Sequence, residues 1–125
     1  MKGFSELKVL FDHQLSNKRF PESPKNLYDP IRYALEIGGK RIRPILMLMS
    51  HQLFSKDIEE SVDLAIAIEV FHNFTLLHDD IMDDSSLRRG LPTVHKKWSQ
   101  SSAILSGDVM LIYCYIIMSG SKIES

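Results

Sequence analysis

A single cysteine, Cys114, among 125 residues excludes an intrachain disulfide and fits a reducing, cytoplasmic setting. Charge of neither sign is in excess: 15 Lys and Arg stand against 16 Asp and Glu, a net charge of −1. That leaves no global attraction for nucleic acid or an anionic membrane. Neither is expected as a partner, and local clusters must carry any recognition of charge. Long hydrophobic runs are also missing. The most apolar stretch, Val109 to Met118, has ten residues, against about 20 for a membrane span. It predicts a buried helix and no transmembrane segment. The N-terminus, Met1-Lys2-Gly3-Phe4-Ser5-Glu6, turns polar at once and predicts no secretory leader. Strand-like alternation and internal repeats are absent beyond a few residues. At 44% hydrophobic and 25% charged, the chain reads as globular, with room for one domain.

What is present is helical periodicity. Phe4, Leu7, Leu10, Phe11 and Leu15 recur at three- and four-residue steps, predicting an amphipathic helix over 4–16. A polar break with two prolines follows, Ser16 to Asn26. Asp29-Pro30 predicts a helix start, with Asp as cap and Pro in the first turn. Gly38-Gly39 predicts its end. Pro44 suits the first turn of a third helix carrying Ile45, Leu48, Met49 and Leu53. Asp57 and Glu60 suggest a capping pair ahead of a long segment, Ile58 to about Asp84, that nothing breaks. Its apolar residues fall on nearly every face up to Leu77, the mark of a central helix surrounded by others. Gly90-Leu91-Pro92 closes this region, and a last helix is predicted over about 101–118, with Gly107 inside it. The fold class is all-α, with one long central helix ending in acid.

That acid is Asp79, Asp80, Asp83 and Asp84. On a helix, Asp79 and Asp83 share one face, and Asp80 and Asp84 form the neighbouring stripe. Four like charges at a helix C-terminus oppose one another and the macrodipole. A hard cation would reverse that cost. Mg²⁺ takes carboxylate oxygens, keeps several waters and completes its shell with substrate phosphates. A second cluster, Gly38-Gly39-Lys40-Arg41-Ile42-Arg43-Pro44, sets three cations before a helix, where an anion is favoured. A third, Arg88-Arg89-Gly90, follows the acid. His72 lies two turns below Asp79 on the same face. An acid pair for metal, two basic groups and an apolar helix beneath them are what two diphosphates with apolar tails require. One would bind through metal, the other directly to Lys and Arg.

The same residues resemble the N-terminal part of the trans-isoprenyl diphosphate synthases, or polyprenyl synthetases. The stretches that carry the resemblance are Gly38-Gly39-Lys40-Arg41-Ile42-Arg43-Pro44, Leu77-His78-Asp79-Asp80-Ile81-Met82-Asp83, Leu87-Arg88-Arg89-Gly90, Pro92-Thr93-Val94-His95 and Leu105-Ser106-Gly107-Asp108. They stand in order over roughly residues 27–118. The resemblance implies an isoprenoid-synthase-type helical bundle, of which 1–125 forms a single incomplete domain. It implies that Lys40, Arg43, His72 and Arg89 bind the diphosphate of isopentenyl diphosphate. Asp79 and Asp83 would hold Mg²⁺ on an allylic diphosphate, with Asp80 alongside and Arg88 on that same diphosphate. The implied reaction is head-to-tail elongation: the allylic diphosphate leaves, the alkene of isopentenyl diphosphate attacks the carbocation, and a proton is lost. Phe74, five residues before Asp79, is the implied chain-length position: an aromatic residue there goes with short products of C15–C20, and the absence of an insertion between Asp80 and Asp83 favours C20. The family also implies a homodimer.

The sequence departs from this family in one respect. No second aspartate-rich motif follows Asp108, so half of the expected metal site is absent and the chain alone is expected to be inactive. Two other readings follow. One is a non-catalytic diphosphate-binding or assembly partner that keeps only these helices. The other is a terpene cyclase, which also ionises a diphosphate at an acid pair. Lys40, Arg43 and Arg89 disfavour the cyclase, which has no second diphosphate to hold.

Overall fold

Two residues with φ in the left-handed range, Gly38 at 80° and Arg41 at 56°, bracket a reversal in the first half of the chain. The structure, a computed structural model, describes residues 1–120. Before the reversal come α1 (Phe4–Ser16) and α2 (Lys25–Ile37); after it come α3 (Ile42–Gln52) and the long α4 (Glu59–Met82). A short ribbon pairs β1 (Leu87–Arg88) with β2 (Leu91–Pro92), Leu87 opposite Pro92 and Arg88 opposite Leu91. One turn, α5 (Val94–Lys97), then leads into α6 (Gln100–Gly120). The all-α expectation holds, with α4 at the centre in contact with α1, α2, α3, α5 and α6.

The core follows the apolar periodicity. Leu7 and Phe11 of α1, Ile31 of α2, Ile45 and Leu48 of α3, Ala65, Ile66 and Val70 of α4, and Ala103 and Met110 of α6 are all buried. The α4–α6 seam is the most extensive contact, and a small residue makes it possible. A Cβ on Gly107 would come within 2.7 Å of His78 Nε2 and 3.4 Å of Phe74 Cδ1. Ser106 ties the same helix to α2 by donating to the carbonyl of Leu27 at 2.7 Å.

Four sequence expectations need correction. Helix α2 starts at Lys25, not at Asp29, and Pro30 lies inside it. Asp29 is not a cap; its carboxylate accepts from Arg32 Nη1 at 2.8 Å. Helix α4 starts at Glu59, where Asp57 caps the Glu59 amide at 3.2 Å, and Glu60 does not close the expected pair. The helix stops at Met82 because Asp84 turns left-handed, with φ 49°. Asp80 and Asp84 therefore do not form a helical stripe. Finally, α6 is not buried all round. Met110 and Cys114 face the core, while Leu105, Ile112, Tyr115 and Ile116 are exposed. By length and composition it is also the one described helix apolar enough to cross a membrane, with a mean hydropathy of 1.6.

Candidate active site

The four aspartates at the end of α4 separate into two kinds. Asp80 turns inward, 6% exposed, and accepts two bonds from Arg88: Nε at 2.9 Å and Nη2 at 2.7 Å. This bidentate pair holds Arg88 fully protonated, its pKa raised first by the hydrogen bond to Asp80. Asp84, beyond the helix, accepts Lys96 Nζ at 2.9 Å and stands 3.7 Å from His95 Nε2. Lys96 holds its carboxyl below the usual range, by the hydrogen bond first and by charge second. Asp79 and Asp83 have no ion pair among the described residues. Both are exposed, and the last helical bond, Asp83 N–H to Asp79 C=O at 2.9 Å, holds them one turn apart.

The donor set fits a magnesium site of the sparse kind. Two carboxylates one turn apart can each give an oxygen, with waters and phosphate supplying the rest. No group of three or more His, Cys, Asp or Glu suited to a metal occurs among the described residues. The site as it stands thus offers two ligands and depends on other groups for the remainder.

The basic residues come together against α4, below the Asp79–Asp83 pair. Lys40, Arg43, His72 and Arg89 all line one recess of about 170 Å³, with Gly38, Gly39 and Leu76 among its walls. Arg43 Nη1 lies 3.3 Å from His72 Nε2. Burial first, then the Arg43 charge, lowers the His72 pKa, so the ring is neutral at pH 7. Arg89 is left-handed, with φ 52°, and its guanidinium lies on Gly39, where a Cβ would come within 2.9 Å of Nη2. Arg41 and Glu69 also line the recess, but the Arg41 guanidinium is taken up by protein partners. Its side chain is buried and bonded to Asp12, Glu69 and the Leu35 carbonyl. The cluster therefore presents two of the three cations that the sequence displays there.

Beside the recess runs a groove of about 560 Å³ between α4 and α6, walled by Ile68, Phe71 and Thr75 on one side and Leu111, Tyr115 and Met118 on the other. Arg43 and His72 line it as well as the recess. Cys114 also lines it, and burial pushes its thiol up to about 11, so it is an inert wall. Phe74 lines neither groove nor recess. It is half-buried in the α4–α6 seam, edge-on to His78 with ring centroids 4.6 Å apart and 5.7 Å from the Phe71 ring. Phe71, which the sequence analysis did not single out, is the aromatic ring on the groove wall; its four-residue step to Thr75 was the available signal. A larger cleft, about 790 Å³ between α1 and α2, meets the recess at Gly38, Gly39 and Arg41. It mixes charges of both signs, some of them paired with each other as in Lys8–Asp12 and Arg32–Asp29, and gathers no acid pair, so size does not locate the chemistry.

Fold and site together define an all-α protein with a bare acid pair, a basic recess and an apolar groove. Comparison with known proteins agrees. The polyprenyl synthetase family model matches residues 24–124, and the chain belongs to that family. It is 41% identical over 102 residues to a geranylgeranyl diphosphate synthase of Methanosarcina mazei, covering 82% of this chain and 31% of that protein. It is 45% identical over 96 residues to a farnesyl diphosphate synthase of Geobacillus stearothermophilus, covering 75% and 32%. A crystal structure of a geranylgeranyl pyrophosphate synthase superposes with a TM-score of 0.91 at 49% identity, over 95% of this chain and 36% of that one. A geranyltransferase from Helicobacter pylori, complexed with magnesium and isoprenyl diphosphate, superposes with a TM-score of 0.81 at 29% identity, over 98% and 44%. The chain spans about a third of the length of the curated relatives it matches.

Proposed function

We propose that the complete protein carrying this chain is a short-chain isoprenyl diphosphate synthase with products of C15–C20, C20 favoured, working as a homodimer in the cytoplasm. The observation that carries this reading is the convergence of Lys40, Arg43, His72 and Arg89 on one recess, on the same helix face as the bare pair Asp79 and Asp83. A terpene cyclase has no use for that recess. The names of the relatives, geranylgeranyl and farnesyl diphosphate synthase, and the magnesium and isoprenyl diphosphate in one neighbour support it.

In this reading Lys40 and Arg43 bind the diphosphate of isopentenyl diphosphate, with Arg89 closing over it from Gly39. His72 enters neutral and donates or accepts as the anion requires. Asp79 and Asp83 would hold Mg²⁺, which supplies charge neutralisation for the departing allylic diphosphate. Arg88, oriented by Asp80, turns its remaining Nη1 donors to that same diphosphate. The C1–O bond of the allylic substrate breaks, its electron pair leaving with the diphosphate. The isopentenyl alkene forms the new C–C bond at C1, and a proton is lost from the resulting cation. The groove between α4 and α6 takes the tail and keeps water from the cation. Phe74 limits product length by backing the Phe71 ring on the groove wall.

Kinetics of variants in a complete synthase carrying this sequence test the assignment. Lys40→Ala and Arg43→Ala should raise KM for isopentenyl diphosphate by about tenfold or more, because each removes a charge-assisted contact. Asp79→Asn and Asp83→Asn should instead lower kcat by orders of magnitude, since metal stabilisation grows as charge develops on the leaving group. An unchanged KM in both cation variants would refute the recess as the isopentenyl site.

A further inference from the structure

Arg41 sits between the two cations assigned to substrate, yet its guanidinium points into the protein. It is 7% exposed and Glu69 is 4% exposed. Nη1 donates to Glu69 Oε2 at 2.5 Å, Nη2 to the Leu35 carbonyl at 3.0 Å and Nε to Asp12 Oδ1 at 3.1 Å. The Phe11 ring lies 6.0 Å from its guanidinium carbon. One side chain thus fastens α1, the end of α2 and α4 to the residue that opens α3, for the Arg41 carbonyl accepts the Ile45 N–H at 3.1 Å.

The backbone at Arg41 is left-handed, with φ 56°, a conformation that costs an arginine and persists only when its surroundings enforce it. Three bonds to three elements supply that enforcement. The consequence is a register. Glu69 and His72 are three residues apart and share a face of α4. Arg41 meets the first, and Arg43, 3.3 Å from Nε2, meets the second. These two rungs fix where the start of α3 lies against α4, and so where Lys40 and Arg43 enter the recess.

We propose that Arg41, with Glu69 and Asp12, is the positioning device of the isopentenyl diphosphate site: its buried three-way anchorage locks the left-handed turn that aims Lys40 and Arg43 into the recess. It does not itself touch substrate. This inference rests on the assignment of the recess in the proposed function and adds a residue to it. A lysine cannot replace the arginine. It offers a point charge and cannot bridge three acceptors in a fixed plane.

The test uses Arg41→Lys, Glu69→Gln and the double variant Arg41→Met/Glu69→Met in a complete synthase carrying this chain. The double variant removes both buried charges together, which a core tolerates far better than the loss of one. In each variant that unfolds cooperatively, KM for isopentenyl diphosphate should rise about tenfold or more, as displacement by about 1 Å of a binding group implies. KM for the allylic substrate and kcat should stay within about threefold. A wild-type isopentenyl KM in a folded Arg41→Lys or double variant overturns the proposal. So does an equal rise in both KM values, which is the mark of general loosening. Lys40→Ala, run alongside, separates the two claims. If it leaves the isopentenyl KM unchanged, the recess assignment has failed; if it raises KM while the Arg41 variants do not, only the positioning role has.

Discussion

At the scale of single residues, the site is defined by which charges have partners. Asp80 and Asp84 are answered by Arg88 and Lys96, and Arg41 by Glu69 and Asp12. Of the site's charges, Asp79 and Asp83 on one side and Lys40, Arg43 and Arg89 on the other have no ion pair among the described residues, and these are what the proposed ligands would satisfy. The sequence shows all these charges but not their partners, because a run such as Lys40-Arg41-Ile42-Arg43 carries no sign of which side chain turns inward. His72 gives a direct check. Burial and the Arg43 charge lower its pKa, so its folded value lies below the ordinary value of about 6.5. Its neutral form is favoured in the fold, and the stability it contributes is present above about pH 6.5 and lost as pH falls from there toward the folded pKa. An NMR titration of His72 in the complete synthase should give a midpoint below the ordinary value. Saturating pyrophosphate should move that midpoint upward, since an anion favours the charged ring. A midpoint unmoved by pyrophosphate would remove His72 from the binding group.

At the scale of elements, close approach between α4 and α6 decides the shape of the groove. Gly107 is a poor helix residue, and alanine there would ordinarily gain about 1 kcal/mol of helix propensity. Here the added Cβ would meet His78 and Phe74, and overpacking costs about 1–3 kcal/mol. Gly107→Ala should therefore destabilise the complete synthase by up to about 2 kcal/mol in denaturant unfolding; a gain in stability would show the seam to be loose. Phe74→Ala acts on the same seam in the other sense. By removing the support of Phe71 it should lengthen the prenols released by dephosphorylation, and an unchanged product distribution in the folded variant would refute a chain-length role. Helices α1, α4 and α6 were legible because their apolar residues repeat at helical spacing over three or more turns. The start of α2 was not. Asp29-Pro30 carries a start signal, but the helix already begins at Lys25 and Pro30 gives up one bond within it. The one-turn α5 is too short for any periodicity, and the exposed half of α6 could not be foreseen from a sequence apolar on every face. Of the motifs that carried the family resemblance, Thr93 and Ser106 proved architectural. Thr93 Oγ1 donates to the Ser85 carbonyl at 2.8 Å and Ser106 to Leu27.

At the scale of the whole molecule, α4 and α6 present an open apolar face. Ile68 and Phe71 on α4 and Leu105, Ile112, Tyr115 and Ile116 on α6 are exposed, and apolar surface of this kind favours association. The 125-residue chain by itself should accordingly bind a hydrophobic dye and self-associate, and, purified free of host synthase, should show no elongation, because Asp79 and Asp83 would give a metal only two ligands. Turnover by the isolated chain would contradict this. The most direct measurement of the central claim is incorporation of radiolabelled isopentenyl diphosphate by the complete synthase, supplied with allylic diphosphate primers, with and without Mg²⁺, followed by chromatography of the dephosphorylated products. The account predicts Mg²⁺-dependent label in C15–C20 prenols, mostly C20, abolished by EDTA. Label remaining in unreacted isopentenyl diphosphate with every primer, or a cyclic hydrocarbon formed without its consumption, would contradict it.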